Sequence, residues 1–232
     1  MNKNKVSLLG WYGDDTTIAC SAWTSTSRDL TDEKRKRIPQ LIDMLYRDGH
    51  HTVFEKGMVH FLVDTDIASH IHLLKHRMSS MNAESARYKE LNEDKFYIPD
   101  DWGNIKCNAD INIGDYNWET SKQSWATTLE KYTELGNVLY HQCLKDLAPV
   151  LGRKRAKESA RFFKTYNSQI QADISFNMRS FFNFQKLRNS EHAQLEIREI
   201  AADMMELVQN IEGNPFKHTL TAFKKGDNKS EL

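Results

Sequence analysis

Between Ile38 and Val63 the hydrophobic period changes from that of a helix to that of a strand, and this switch confines the chain to a mixed fold. Ile38, Leu41, Ile42 and Leu45 recur at i, i+3, i+4 and i+7, which places them on one face of an amphipathic helix. Thr31 before Asp32 and Glu33 is a helix start, and the pattern runs to about Asp48 and stops at Gly49. Pro39 is expected near the first turns, where a missing N–H costs least. From about Gly57 the spacing changes. Val59, Phe61 and Val63 then alternate with His60 and Leu62, as in a half-buried strand.

The same reading extends outward. Val6 to Trp11 forms a short strand ending at Gly10 and Gly13, and Ser21 to Ser27 is a polar loop. Ile67, Ile71 and Leu74 return to helical spacing. Residues 92–117, with Pro99, Gly103 and Gly114, are the least regular part and are expected as a surface excursion. Trp125, Leu129, Tyr132, Val138, Leu139 and Leu147 fit a long helix, interrupted or strained near Gly136. Another runs from Glu191 to Ile211, with Ala193, Ile197, Ile200, Met204, Leu207 and Ile211 on one face. The Lys-rich tail after Phe223 is expected to fray. The class is α/β in the α+β sense, richer in helix, and residues 1–232 are expected to form one domain.

Charge narrows the functions. The 32 basic and 32 acidic residues cancel, so no global field draws nucleic acid or an anionic membrane. A bound anion therefore needs a local cluster. No apolar run is long enough to cross a bilayer, and polar Met1 to Lys5 does not begin a secretory signal. The expected location is the cytoplasm, that of the host if the source is viral. Cys20, Cys107 and Cys143 are odd in number and widely spaced, which fits a reduced compartment and buried, unpaired thiols. His50-His51 and the His70/His72 pair lack the companion spacing of a zinc site, so no metal is expected.

The densest polar constellation runs from Lys75-His76-Arg77 through Ser85-Ala86-Arg87-Tyr88, directly after an apolar helical segment. Arg supplies a planar fork of donors to phosphate, and hydroxyl and backbone N–H groups complete such a cradle. Charge alone favours a plainer reading, a solvated basic helix end that suits the helix dipole. Spacing shifts the balance. Lys75-His76-Arg77, seven residues, then Ser85 resembles the Arg-His-Arg signature of the flavin-dependent thymidylate synthases. The chain departs from it at Lys75 and in Asn82-Ala83-Glu84-Ser85, where the acid is displaced by one position from Asn-Glu-x-Ser. Gly49-His50-His51-Thr52-Val53-Phe54-Glu55 is similar to the family's Gly-His-x-Thr-x-Phe-Glu. Glu158 and Arg161 match its Glu-x-x-Arg, and the segment from Asn177 to Arg188 matches Asn-x-Arg-Ser-x-x-Asn-Phe-x-x-Leu-Arg, followed by Ser190-Glu191-His192. The resemblance covers roughly residues 20–90 and 155–210, in order.

The resemblance implies reductive methylation of dUMP to dTMP, with methylenetetrahydrofolate as carbon donor and NADPH reducing FAD. It also implies a β-sheet flanked by long helices, and a homotetramer with shared active sites. By the same resemblance Ser85, Ala86, Arg87 and Arg161 hold the dUMP phosphate and sugar, with Lys75 and His72 as further nucleotide contacts. Arg188 is the catalytic residue, set against the uracil ring to favour negative charge there. FAD falls to Ser25, Thr52, Lys75, His76, Arg77, Asn177, Arg179, Asn183 and His192, and His50 to the folate or nicotinamide access. His192 fits a packing role equally well, and Arg188 has an alternative as an ion-pair partner of Glu191 or Glu196. Ser85 lacks an activating base, so a contact is expected rather than a nucleophile. Two other functions compete: a non-catalytic nucleotide- or flavin-binding homologue, and an enzyme that hydroxymethylates a related pyrimidine nucleotide.

Overall fold

A computed structural model describes residues 3–227. In chain order the elements begin with β1 (Lys5–Tyr12), α1 (Asp15–Trp23), α2 (Asp32–Arg47) and a 3-10 turn at His51–Lys56. β2 (Met58–Asp66), α3 (Ile67–Leu74) and β3 (Ser79–Ala83) follow. Next come β4 (Ile111–Ile113), β5 (Tyr116–Trp118), α4 (Trp125–Leu151) and α5 (Arg153–Ala160). β6 (Gln169–Asn177), α6 (Met178–Arg188), α7 (Leu195–Gln209) and α8 (Lys217–Asp227) complete the chain. One sheet has the order β1-β2-β6-β3, and β4 and β5 make a separate antiparallel hairpin. The mixed, helix-rich class is as expected.

The chain divides into two compact units. The larger comprises Lys5–Val63, His72–Asn82 and the chain from Ala172 onward. Its core joins the alternating residues of the sheet, Val59, Phe61, Val63, Ile174 and Phe176, to the inner faces of α2, α6 and α7. The two-residue period of β2 and β6 puts one set of side chains inward, and each fully buried Val, Ile or Phe contributes about 1.5–3 kcal/mol. Gly57 sets the seat of α6: a Cβ there would stand 2.9 Å from Met178 Cγ and 2.8 Å from Phe216 Cε1. The Gly57 carbonyl accepts the Met178 N–H at 2.8 Å, so the start of α6 lies against the His51–Lys56 turn.

The smaller unit contains Asp64–Ile71 and Ala83–Gln171, with Lys3 and Asn4. Here α5 packs along α4, and Tyr140, Leu144, Ala156 and Ala160 form a small core between them.

Several expectations change. Ser21 to Trp23 end α1 rather than opening a loop; Asp14 caps the start of that helix by accepting the Thr17 N–H, and the Thr24 N–H closes its end on the Ser21 carbonyl. Pro39 is the eighth residue of α2, well past its first turns. Its absent N–H forfeits one helical bond, and buried Ile38 and Ile42 keep the helix running through it. α4 is continuous through Gly136. The glycine serves approach instead of a break: a Cβ there would lie 2.6 Å from the Phe163 carbonyl oxygen. Residues 92–117 are not wholly irregular, since β4 and the start of β5 fall within them. α7 begins at Leu195, four residues after the expected start. Past Phe223, α8 continues to Asp227, and the rest of the tail, like Met1 and Asn2, lies outside the described residues. All three cysteines are free thiols, but only Cys107 is buried, with its sulfur 3.3 Å from Thr128 Oγ1.

Candidate active site

In the larger unit, two loci far apart in sequence line one cavity of about 690 Å³. The first is the exit of α3. There the chain turns back on itself: the His76 N–H bonds to the Leu73 carbonyl, and the His76 carbonyl accepts both N–H and Oγ–H of Ser79. This turn presents Lys75, His76, Arg77 and Met78 to the cavity. The second locus is α6, from its cap to its last residue. Asn177 caps the helix, its Oδ1 accepting the Ser180 N–H at 2.8 Å. Arg179, Asn183, Lys186 and Arg188 follow along the cavity wall.

Polar and apolar sides of the cavity differ sharply. Arg179 donates to Glu55 at 2.6 Å, whereas the side chains of Lys75, Arg77 and Lys186 make no hydrogen bond or ion pair with any described residue. A neutral chain thus concentrates unpaired cations where the α6 N-terminus already favours an anion. Aromatic residues line the same cavity. Phe182 and Phe223 stack with centroids 4.4 Å apart and 6° between planes, and His51 stacks on Tyr46 at 5.3 Å. Unpaired cations beside a flat apolar wall suit a ligand with both phosphate and a planar ring.

Arg188 meets neither Glu191 nor Glu196. Its Nε–H donates to His76 Nε2 at 3.0 Å. Burial first, then the nearby Arg188 and His72 charges, push the His76 ring down to about 4 from an ordinary value of 6.5. The ring is therefore neutral at physiological pH and able to accept.

The smaller unit brings together two other quoted motifs. Arg87 donates its Nε–H to Glu158 Oε1 at 2.9 Å, and the Lys157 ammonium donates to the Tyr88 carbonyl at 2.9 Å. The hydrogen bond from Arg87 holds the Glu158 carboxyl below the usual carboxylate range. Glu84, the displaced acid, accepts from Lys89 and from the Gln171 N–H, anchoring the strand end before Ser85. Ser85 Oγ accepts the Arg87 N–H at 3.3 Å, closing a tight turn that includes Ala86. Arg161 opens an exposed 3-10 turn, Arg161–Phe163, directly after α5.

Of the sequence-based site residues, Lys75, His76, Arg77, Asn177, Arg179, Asn183 and Arg188 line the large cavity. Ser85, Ala86, Arg87 and Arg161 belong to the smaller unit. The remaining five do not line that cavity. Ser25 donates to the Ala22 carbonyl in an exposed turn, Thr52 and His50 are exposed, and His192 is exposed beside Ser190. His72 bonds to Gln194 at 3.1 Å. Sequence reasoning missed His51, Glu55, Phe182, Lys186 and Phe223 as lining residues. His51 and Glu55 stand inside the quoted Gly-His motif, so a signal existed; Phe223 had none.

Comparison with known proteins shows the family and the fold. The profile of the thymidylate synthase complementing protein family matches residues 7–212. A flavin-dependent thymidylate synthase of Pseudothermotoga lettingae is 31% identical over 211 residues, 91% of this chain and 87% of the relative. One from Thermosipho africanus is 31% identical over 239 residues, covering 100% of this chain and 96% of the relative. The fold resembles a UMP/dUMP methylase, PolB, from Streptomyces cacaoi, with a TM-score of 0.73, 23% identity and 97% and 96% of the two chains covered. No helix among the described residues is long and apolar enough to cross a membrane. With a family profile spanning most of its length and relatives at 31% identity, the chain belongs to the flavin-dependent thymidylate synthase family.

Proposed function

We propose that the protein makes dTMP by reductive methylation of dUMP, using FAD, with methylenetetrahydrofolate as carbon donor and NADPH as reductant. The observation that carries this reading is the convergence of Lys75, His76, Arg77, Asn177, Arg179, Asn183 and Arg188 on one cavity. The residues fit a flavin dinucleotide: unpaired cations and the capped end of α6 suit its phosphates, and the aromatic wall suits its ring. Bound and reduced, FAD supplies the hydride that the methyl group requires.

The protein's own share is binding and charge. Arg87 and Arg161, with Ser85 Oγ and the Ala86 backbone, hold the phosphate and sugar of dUMP. Lys75 and His72 are secondary nucleotide contacts, and Ser25, Thr52 and His192 are secondary flavin contacts, with His50 at the folate or nicotinamide access. Arg188 sits against the uracil and lowers the energy of negative charge on the ring, which raises the nucleophilicity of C5. No cysteine is assigned a role. Residues 1–232 act as one catalytic domain in a cytoplasmic homotetramer whose active sites are shared between subunits.

The test is product formation. Purified protein with FAD, NADPH, methylenetetrahydrofolate and dUMP should yield dTMP, and parallel reactions with UMP and dCMP define the pyrimidine accepted. Bound flavin without any methylated nucleotide would instead mark a non-catalytic binder, and a hydroxymethylated product would move the reaction class.

A further inference from the structure

We infer that His76 is the positioning residue of Arg188: its imidazole accepts the Nε–H, fixes the plane of the guanidinium, and leaves both terminal nitrogens free for the pyrimidine. The inference rests on the proposed role of Arg188 and adds to it the group through which that role is set.

The geometry is specific. The donor atom is Nε and the acceptor Nε2, at 3.0 Å, so the ring carries its proton on Nδ1. An arginine held through Nε cannot rotate about its last bonds without losing that contact, yet Nη1 and Nη2 keep all four N–H donors. The ring is itself held from two sides. It stands edge-on to fully buried Phe184, centroids 4.9 Å apart and planes at 78°, and its backbone is locked into the turn closed by Ser79. Phe184 lies on α6, one turn before Arg188, so the support for the acceptor and the arginine share one rigid element. Lys75 and Arg77 are the neighbours of His76 in sequence, His72 lies one turn before it on α3, and the other charged residues lining the same cavity are Lys186 and the Glu55–Arg179 pair. Burial first, then the Arg188 and His72 charges, keep the ring neutral, with its pKa at about 4.

Neutrality has a chemical use. A carboxylate at the same place would orient the guanidinium but cancel much of its charge, whereas an imidazole orients it and leaves the charge intact. Arg188 is then a preorganised cation aimed where negative charge develops, with little reorganisation left for the reaction itself.

The experiment uses the flavin-loaded protein and four variants, His76→Ala, His76→Gln, Arg188→Ala and the His76→Ala/Arg188→Ala double change. Flavin retention, dUMP affinity by calorimetry and single-turnover oxidation of reduced flavin with dUMP and methylenetetrahydrofolate are measured in each. With FAD held at saturation, so that any loss of the His76 flavin contact does not enter the rate, His76→Ala should slow the single turnover by about tenfold or more while dUMP affinity changes far less. His76→Gln, which keeps a neutral acceptor, should recover most of the rate. In the Arg188→Ala background, removing His76 should cost nothing further. Equal losses in both backgrounds would mean that His76 acts on its own, and an unaltered rate in His76→Ala would mean that it does not act; either overturns the inference. A readout independent of turnover separates this from the functional reading. The His76 ring pKa, followed by NMR, should rise in Arg188→Ala. If it does not, the contact is refuted even in an active enzyme; if it does while wild-type protein forms no dTMP, only the functional reading falls.

Discussion

Two arginines in this protein are held by the same atom and by opposite partners. In the unit built around the sheet, Arg188 gives its Nε–H to a neutral imidazole at 3.0 Å; in the helical unit, Arg87 gives its Nε–H to the Glu158 carboxylate at 2.9 Å. Both contacts orient a guanidinium fork, but only the second offsets its charge. The pair of choices suits the two tasks proposed for these arginines. A phosphate brings its own strong negative charge and rewards a well-placed fork, so an oriented, partly compensated arginine suffices. A pyrimidine acquires charge only as the reaction proceeds, so the arginine beside it must arrive uncompensated.

The largest expected effect breaks the comparison on its sheet-unit side. Arg188→Ala should lower the single-turnover rate by about 10²–10³-fold, as loss of one preorganised charge-stabilising donor does elsewhere. Its dUMP affinity should fall far less. Losing affinity and rate in equal measure would make Arg188 a simple binding residue. A smaller effect is expected on the other side. Arg87→Ala or Arg161→Ala should weaken dUMP binding by about ten- to hundredfold with flavin still bound, the usual worth of a charge-assisted contact. Unchanged dUMP affinity in both variants would remove the phosphate assignment.

The smallest effect concerns pH, and it sharpens the contrast between acceptors. The His76 ring titrates near 6.5 when unconstrained and at about 4 in the folded protein, so the unfolded chain binds the proton first as pH falls. Stability should be flat with respect to this group above the ordinary value and should decline as pH drops through that window. In His76→Gln this share of the acid-side slope should be missing, which thermal melts across the window would reveal. Identical slopes in the two proteins would show that the ring is not held neutral by the fold.

Period and capping made much of the fold legible in advance. The β2 alternation, the α2 face and the Thr31 cap all follow from local rules. β6 obeys the same two-residue rule, with Ala172, Ile174 and Phe176 buried, but polar Gln169 and Gln171 at its start obscure the run. Pro39 and Gly136 were placed by local propensity, the first near a helix start and the second at an interruption, and tertiary contacts put both inside continuous helices. At the site, residues inside ordered motifs were readable, and seven of them line the cavity. His51 shows the limit of that method. Adjacent histidines carry equal sequence signals, and only the 3-10 turn determines that His51 stacks on Tyr46 while His50 is exposed. Phe223 was beyond reach, because its role depends on α8 folding back against α2.

That last helix bears on how the cavity comes into being. Phe223 forms the parallel stack with Phe182, so part of the wall is supplied by a residue synthesised after every other residue that lines the cavity. A chain emerging from the ribosome can assemble the sheet, α6 and the turn at His76 while the wall still lacks this ring. The lining of the cavity is therefore complete only once α8 has docked and brought Phe223 onto Phe182.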